Sequence, residues 1–175
     1  MLFRSDHPLS IETLRGKVIV VEAFQMLCPG CVSHGLPQAL RVHQTFSSSE
    51  VAVIGLHTVF EHHDAMTPTA LEAFLHEYRI PFPVGVDMPD GNGGIPLTMH
   101  AYAMRGTPTL ILIDARGRLR RQYFGSVSDL TLGAEIAELI LEARATNSGD
   151  STISSQRASD TPTDCASGAC PVDTR

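Results

Sequence analysis

The sequence predicts an α/β domain, and three observations lead there. A nearly continuous β-branched run, Lys17 to Phe24, is followed at once by a Cys-Pro-Gly-Cys turn and a helix-compatible stretch. A second run of the same kind, Val51 to His57, comes after that stretch. Further on, a Thr-Pro pair stands directly before two strand-like runs and an amphipathic segment, so the order is βαβ at the start and ββα at the end.

Each element has its own signal. Lys17 to Phe24 (KVIVVEAF) lacks polar alternation, as a strand covered on both faces does. Pro29 suits a first helical position, where its missing N–H has no partner to lose, so a helix is expected from Pro29 to about Ser47. Val51 to His57 reads as a second buried strand. Thr67 to Arg79 carries Leu71, Phe74, Leu75 and Tyr78 at helical spacing, a core stripe. Phe82 to Val86 forms a short strand and Leu97 to Met104 a helix. Thr109 to Asp114 and Leu119 to Phe124 are strands joined by an Ala115-Arg116-Gly117 turn. Ser128 to Arg144 starts on a polar cap and aligns Leu132, Ile136, Leu139 and Ile140 on one face.

Composition narrows the function. The 175 residues carry a net charge of −6, which offers no basic face to nucleic acid and no polybasic patch to anionic lipid. No stretch approaches the 18 to 20 or so apolar residues of a membrane span, and the first ten residues contain no apolar run of signal-peptide length. The chain as given is expected to be cytoplasmic and monomeric, with a removed leader as the alternative. From Thr146 to Asp164 the composition turns to Ser, Thr, Asp, Asn and Gly, which cannot offset the entropy of ordering. Residues 1 to 145 are therefore expected to fold as one domain, and 146 to 175 to form a flexible linker and a tail bearing Cys165 and Cys170.

Four cysteines are too few to staple a domain of this length. Cys28 and Cys31 lie three residues apart at a helix start, a spacing compatible with the Cα separation of about 4.4 to 6.8 Å that a disulfide needs. Closing so small a loop restrains the unfolded chain by only about 2 kcal/mol, against about 4.7 for a 100-residue loop. Such a bridge suits a bond that is made and broken. Unpaired N–H groups and the positive dipole end at the helix N-terminus favour a thiolate at Cys28, which makes it the expected nucleophile and leaving group. Cys31 is the expected resolving thiol. Glu22 lies inside the apolar run, where burial raises a carboxyl pKa, and its expected role is proton relay to Cys31 through a bridging water.

Together, the buried strand, the CxxC helix, Thr107-Pro108 before a strand, the hairpin and the final helix resemble the thioredoxin superfamily over residues 9 to 145. The resemblance implies a thioredoxin-like fold, a central mixed sheet flanked by helices. It also implies a cis Pro108 beside the cysteines, with Thr107 and Pro108 forming the substrate platform, and Glu22 in the place of the family's buried acid. About fifty residues between the second strand and Pro108 leave room for an inserted αβ unit (Thr67 to Val86), similar to the TlpA/ResA-like redoxin branch. Three features depart from that pattern. Leu27, after Met26, stands where an aromatic residue usually precedes the first cysteine, and the chain has no Trp. Pro37 is displaced by one position from the usual helical proline. The export or anchoring typical of that branch is not expected here.

The function expected is thiol–disulfide oxidoreduction through a mixed disulfide, acting on protein or small-molecule disulfides with an upstream redox partner and no bound cofactor. Two alternatives stand beside it. One is a non-catalytic thiol module that captures zinc or copper. The other is a thiol peroxidase, against which Gln25 argues, because peroxiredoxins carry Thr three residues before their reactive cysteine. Cys165 and Cys170 form a candidate second redox pair that exchanges with the first, or a tail without a role. No metal site is expected: the His57, His62, His63, Asp64 group reads as a solvated turn.

Overall fold

A computed structural model describes residues 2–3, 9–91 and 94–156. Cys165 and Cys170 lie outside the described residues. The chain divides into two compact units, Met1–Ala143 and Arg144–Arg175. The first holds the whole sheet.

Among the described residues that sheet has six strands: β1 (Leu2–Phe3), β2 (Val18–Phe24), β3 (Val51–His57), β4 (Val84–Val86), β5 (Thr109–Ile113) and β6 (Leu119–Phe124), in the order β1-β4-β3-β2-β5-β6. β2 runs parallel to β3, from Val18 opposite Val51 to Phe24 opposite His57, and antiparallel to β5, from Ile19 opposite Ile113 to Ala23 opposite Thr109. The sheet is therefore mixed. The helices are α1 (Leu36–Thr45), α2 (Pro68–Glu77), α3 (Leu97–Ala101) and α4 (Asp129–Gln156). The α2 and β4 pair is the inserted unit, with β4 added in parallel beside β3. Thr67 caps α2 by accepting the Ala70 N–H at 3.2 Å, and Pro68 opens it.

β2 is covered on both faces, and its side chains alternate between two cores. Val18, Val20 and Phe24 pack with Leu36, Leu71, Leu75 and Ile136. Ile19 and Ala23 pack with Met99, Met104, Ile111 and Ile113. By that alternation Glu22 shares the face of Val20 and Phe24, under α1.

β1 is not among the expected strands, and three further elements differ from the expectation. The first helix is not regular: helical turns begin at Pro29, but Cys31–Gly35 is a π-helical turn in which the Leu36 N–H reaches back five residues to the Cys31 carbonyl. Pro37 accounts for this, since it has no N–H for the Ser33 carbonyl and its ring would press on that group in an α-helix. Helix α3 stops at Ala101 rather than Met104. There Ala103 adopts φ +49°, and the Met104 N–H closes on the Met99 carbonyl at 3.0 Å, a helix-ending geometry. Helix α4 continues to Gln156, past Thr146 where the composition reads as linker.

Candidate active site

The Cys28–Cys31 turn leaves the end of β2 and enters the helix. The Cys28 N–H donates to the Gln25 carbonyl at 3.1 Å, and the Val32 N–H donates to the Cys28 carbonyl at 3.1 Å. These bonds set Cys28 at the head of the helix. Its sulfur accepts the Cys31 N–H at 3.3 Å and lies 3.6 Å from the Thr107 carbonyl, to which the thiol donates. A backbone N–H aimed at sulfur stabilises negative charge there. Both cysteines are unbridged, Cys28 half-buried and Cys31 fully buried. Burial pushes the Cys31 thiol up to about 12, with the Cys28 sulfur adding to the effect. The two thiols thus have different environments within one turn.

The Thr107–Pro108 peptide is cis. Pro108 packs against the turn so closely that a Cβ on Gly30 would lie 3.3 Å from its Cδ, and one on Gly35 would lie 3.0 Å from its Cβ. The Pro108 carbonyl accepts the Gly125 N–H at 2.9 Å, which ties Pro108 to the residue that follows β6. Gly106, at φ +155°, sits where a Cβ would come 3.0 Å from the Phe124 ring, so both its conformation and the space require glycine.

Glu22 is 1% exposed, and its Oε1 has no hydrogen-bond partner among the described residues. Burial raises its carboxyl to about 8. Oε1 lies directly beneath Gly35, where a side chain would overlap it. Glu22 also lines a cavity of about 100 Å³ with Ser33, His34, Gly35, Gln38 and Ser126. That is room for a few waters beside an unpaired carboxyl oxygen.

On the other side of the dithiol, a groove of about 500 Å³ opens at Cys28, walled by Leu27, Phe60, Met66, Thr107 and Phe124. Leu27 is 55% exposed and Phe124 48%, apolar surface that an isolated domain has no packing reason to display. Leu27, in the usual aromatic position, lines this groove.

Cys28, Cys31, Thr107 and Pro108 therefore meet at one place, with Glu22 reaching it from behind through Gly35. His57 supports the loop before Cys28: it is buried, its Nε2 accepts the Met26 N–H at 3.3 Å, and burial lowers its imidazole to about 4. Among the described residues no three His, Cys, Asp or Glu side chains converge on a point fit for a metal ion. Sequence reasoning missed the packing roles of Gly30 and Gly35 and the burial of Gln25. A glycine within a helical run is a sign of close approach, and Gly35, two residues before Pro37, carried that sign.

Comparison with known proteins agrees with this fold. The AhpC/TSA family profile matches residues 4–122. The solved structure of the thioredoxin-like superfamily protein SPOA0173 is 64% identical, with a TM-score of 0.78, covering 80% of this chain and 90% of that one. A thiol-disulfide isomerase from Corynebacterium glutamicum is 56% identical, with a TM-score of 0.75, covering 77% and 87%. Protein DipZ of Mycobacterium bovis is 29% identical over 120 residues, 69% of this chain. The match spans 16% of that curated relative's length. Among the described residues no helix is long and apolar enough to cross a membrane.

Proposed function

The chain belongs to the AhpC/TSA family within the thioredoxin-like superfamily, and from that premise we propose that it is a thiol–disulfide oxidoreductase working through the Cys28–Cys31 dithiol. The observation that carries this reading is the pairing of a half-buried Cys28, receiving the Cys31 N–H and facing an open groove, with a fully buried Cys31 one turn inside.

In the reducing direction, the Cys28 thiolate attacks one sulfur of a substrate disulfide. A Cys28–substrate mixed disulfide forms, and the other substrate sulfur leaves as a thiolate that takes a proton from solvent. The Cys31 thiol then attacks the Cys28 sulfur. It closes the Cys28–Cys31 disulfide and expels the second substrate thiolate, so two electrons have passed from dithiol to substrate. Cys31 must shed its proton first, against a burial that holds it on. In this reading Glu22, buried behind Gly35, which lies four residues along the same helical run from Cys31, takes that proton in its ionised form. Thr107 and cis Pro108 supply the backbone platform for the substrate chain. An upstream dithiol or disulfide returns the pair to its starting state.

Gln25 weighs against peroxide chemistry, because its amide is engaged by Phe60 and Glu61 rather than left to face a small oxidant. The test is turnover of a disulfide-bonded peptide with a dithiol donor, with hydrogen peroxide as a parallel arm. Cys28→Ser is expected to abolish peptide reduction, and Cys31→Ser to accumulate a mixed disulfide on Cys28. Retained reduction in Cys28→Ser, or peroxide turnover exceeding disulfide turnover, overturns the reading.

A further inference from the structure

Gln25 is 1% exposed, yet both ends of its amide are spent on one short stretch beyond β3. The Phe60 N–H donates to its Oε1 at 3.2 Å, and its Nε2 donates to the Glu61 carboxylate at 3.3 Å. Two further bonds, from the Thr58 N–H to the Phe24 carbonyl at 3.0 Å and from the Met26 N–H to His57 Nε2 at 3.3 Å, carry the link between these strands past their last paired residues. The loop that presents Cys28 and the wall facing it are thereby laced together, and an exposed carboxylate is held in place at the groove. The walls around Glu61 are apolar: Leu27, Phe60, Ala65, Met66 and Phe124. Apart from Cys28, the ionisable lining groups are Glu61 and His62. Arg105 lies over the Phe124 ring, 5.1 Å from its centroid, and is not part of the lining. A carboxylate beside apolar walls attracts a cation more strongly than one in open water.

We infer that Gln25 and Glu61 make this groove selective for polypeptide disulfides that carry Lys or Arg close to the reacting cysteine. The inference rests on the exchange chemistry proposed for Cys28: the substrate sulfur meets Cys28 while its cationic neighbour meets Glu61 across the same groove. Gln25 acts as a positioning residue, restricting the freedom of the carboxylate so that less is lost when a cation binds.

Single-turnover reduction by the pre-reduced protein tests this, using two disulfide-bonded peptides that differ only in Arg or Glu beside the cysteine. The Arg peptide should react about five- to tenfold faster at low ionic strength, with the difference shrinking at 1 M salt, where charges are screened within about 3 Å. Glu61→Gln should remove the preference and Glu61→Lys invert it. Gln25→Met, which retains the side-chain length but neither hydrogen bond, should weaken it. Because Glu61 is exposed, its variants decide the matter even where Gln25→Met fails to fold. Equal rates for the two peptides, or a preference unchanged in Glu61→Lys, overturn the inference. Failure of the wild type to reduce either peptide instead overturns the exchange chemistry beneath it.

Discussion

Gly35 and Glu22 are in such close contact that a side chain at position 35 forces a neighbour to move: a Cβ there would overlap the Glu22 Oε1 and stand 3.0 Å from the Pro108 Cβ. The π-helical turn that Pro37 forces brings this glycine down onto the sheet. Gly35→Ala must therefore displace the carboxylate, the cis-proline platform or the helix itself. Overpacking of this kind costs about 1–3 kcal/mol. Chemical denaturation should show a loss of that size, and peptide-disulfide reduction should fall as well. A fully stable and fully active Gly35→Ala protein would show that the contact is dispensable.

Glu22 and His57 pull the pH dependence of stability in opposite directions. Burial holds the Glu22 carboxyl up at about 8 against an ordinary 4.5, so between those values the folded chain keeps a proton that the unfolded chain has released, and stability falls as pH rises. Burial holds the His57 imidazole down at about 4 against an ordinary 6.5, so between those values the unfolded chain carries the extra proton, and stability rises with pH. From pH 4.5 to 6.5 the two contributions offset each other. Above 6.5 Glu22 acts alone and costs about 2 kcal/mol by pH 8. Denaturation midpoints measured across this range should show a plateau and then a decline. Glu22→Gln should remove the decline, expose the His57 rise between pH 4 and 6.5, and be more stable than wild type at pH 8. Wild-type stability that climbed from 6.5 to 8 would contradict the assignment.

Much of this site was legible in the sequence, because its chemistry is written in short spacings. Cys28 and Cys31 at the end of an apolar run, Glu22 as the charge inside that run, and Thr107-Pro108 before a strand are local patterns that the fold then brings together. What escaped reading depends on contacts between distant segments. The π-helical turn left only Pro37 as a trace, because periodicity over 29–47 fits an ordinary helix. Gln25 reads as a polar residue at a strand end, and its burial follows from the wall at Phe60, 35 residues away. His57 was grouped with the surface histidines that follow it. The alternation of β3 would have placed it inside, since Val51, Val53, Gly55 and His57 all share the buried parity.

Asp114 holds the hairpin between β5 and β6. Its carboxylate accepts the N–H groups of Arg116 and Arg118 at 3.0 Å each and pairs with the guanidinium groups of Arg118 at 2.8 Å and Arg120 at 3.3 Å. Burial alone would raise this carboxyl, but the Arg118 and Arg116 N–H groups and the Arg118 charge outweigh it and hold it below its ordinary value. Asp114→Asn loses the charge and weakens every one of these bonds, for an expected cost of about 1–3 kcal/mol in thermal or chemical unfolding. Asp114 lies away from the dithiol, so disulfide reduction well below the unfolding midpoint should stay at the wild-type rate. A parallel loss of activity under those conditions would place the hairpin in the chemistry.

The contrast between the two thiols predicts how they meet an alkylating reagent. Cys28 is half-buried and lines the groove, whereas Cys31 is fully buried with its thiol pushed up to about 12, so few Cys31 thiolates exist at neutral pH and none lies open to a reagent. Iodoacetamide under native conditions should modify Cys28 and leave Cys31 free until the chain is unfolded. The tryptic peptide between Lys17 and Arg41 contains both of these cysteines and neither Cys165 nor Cys170, so its fragment masses report the two sites without interference from the tail. Raising the pH toward 9 should ionise Glu22 without bringing Cys31 near its own titration, and the order of labelling should persist. Equal labelling of the two residues in the folded protein would remove the asymmetry on which the proposed division between attacking and resolving thiol rests.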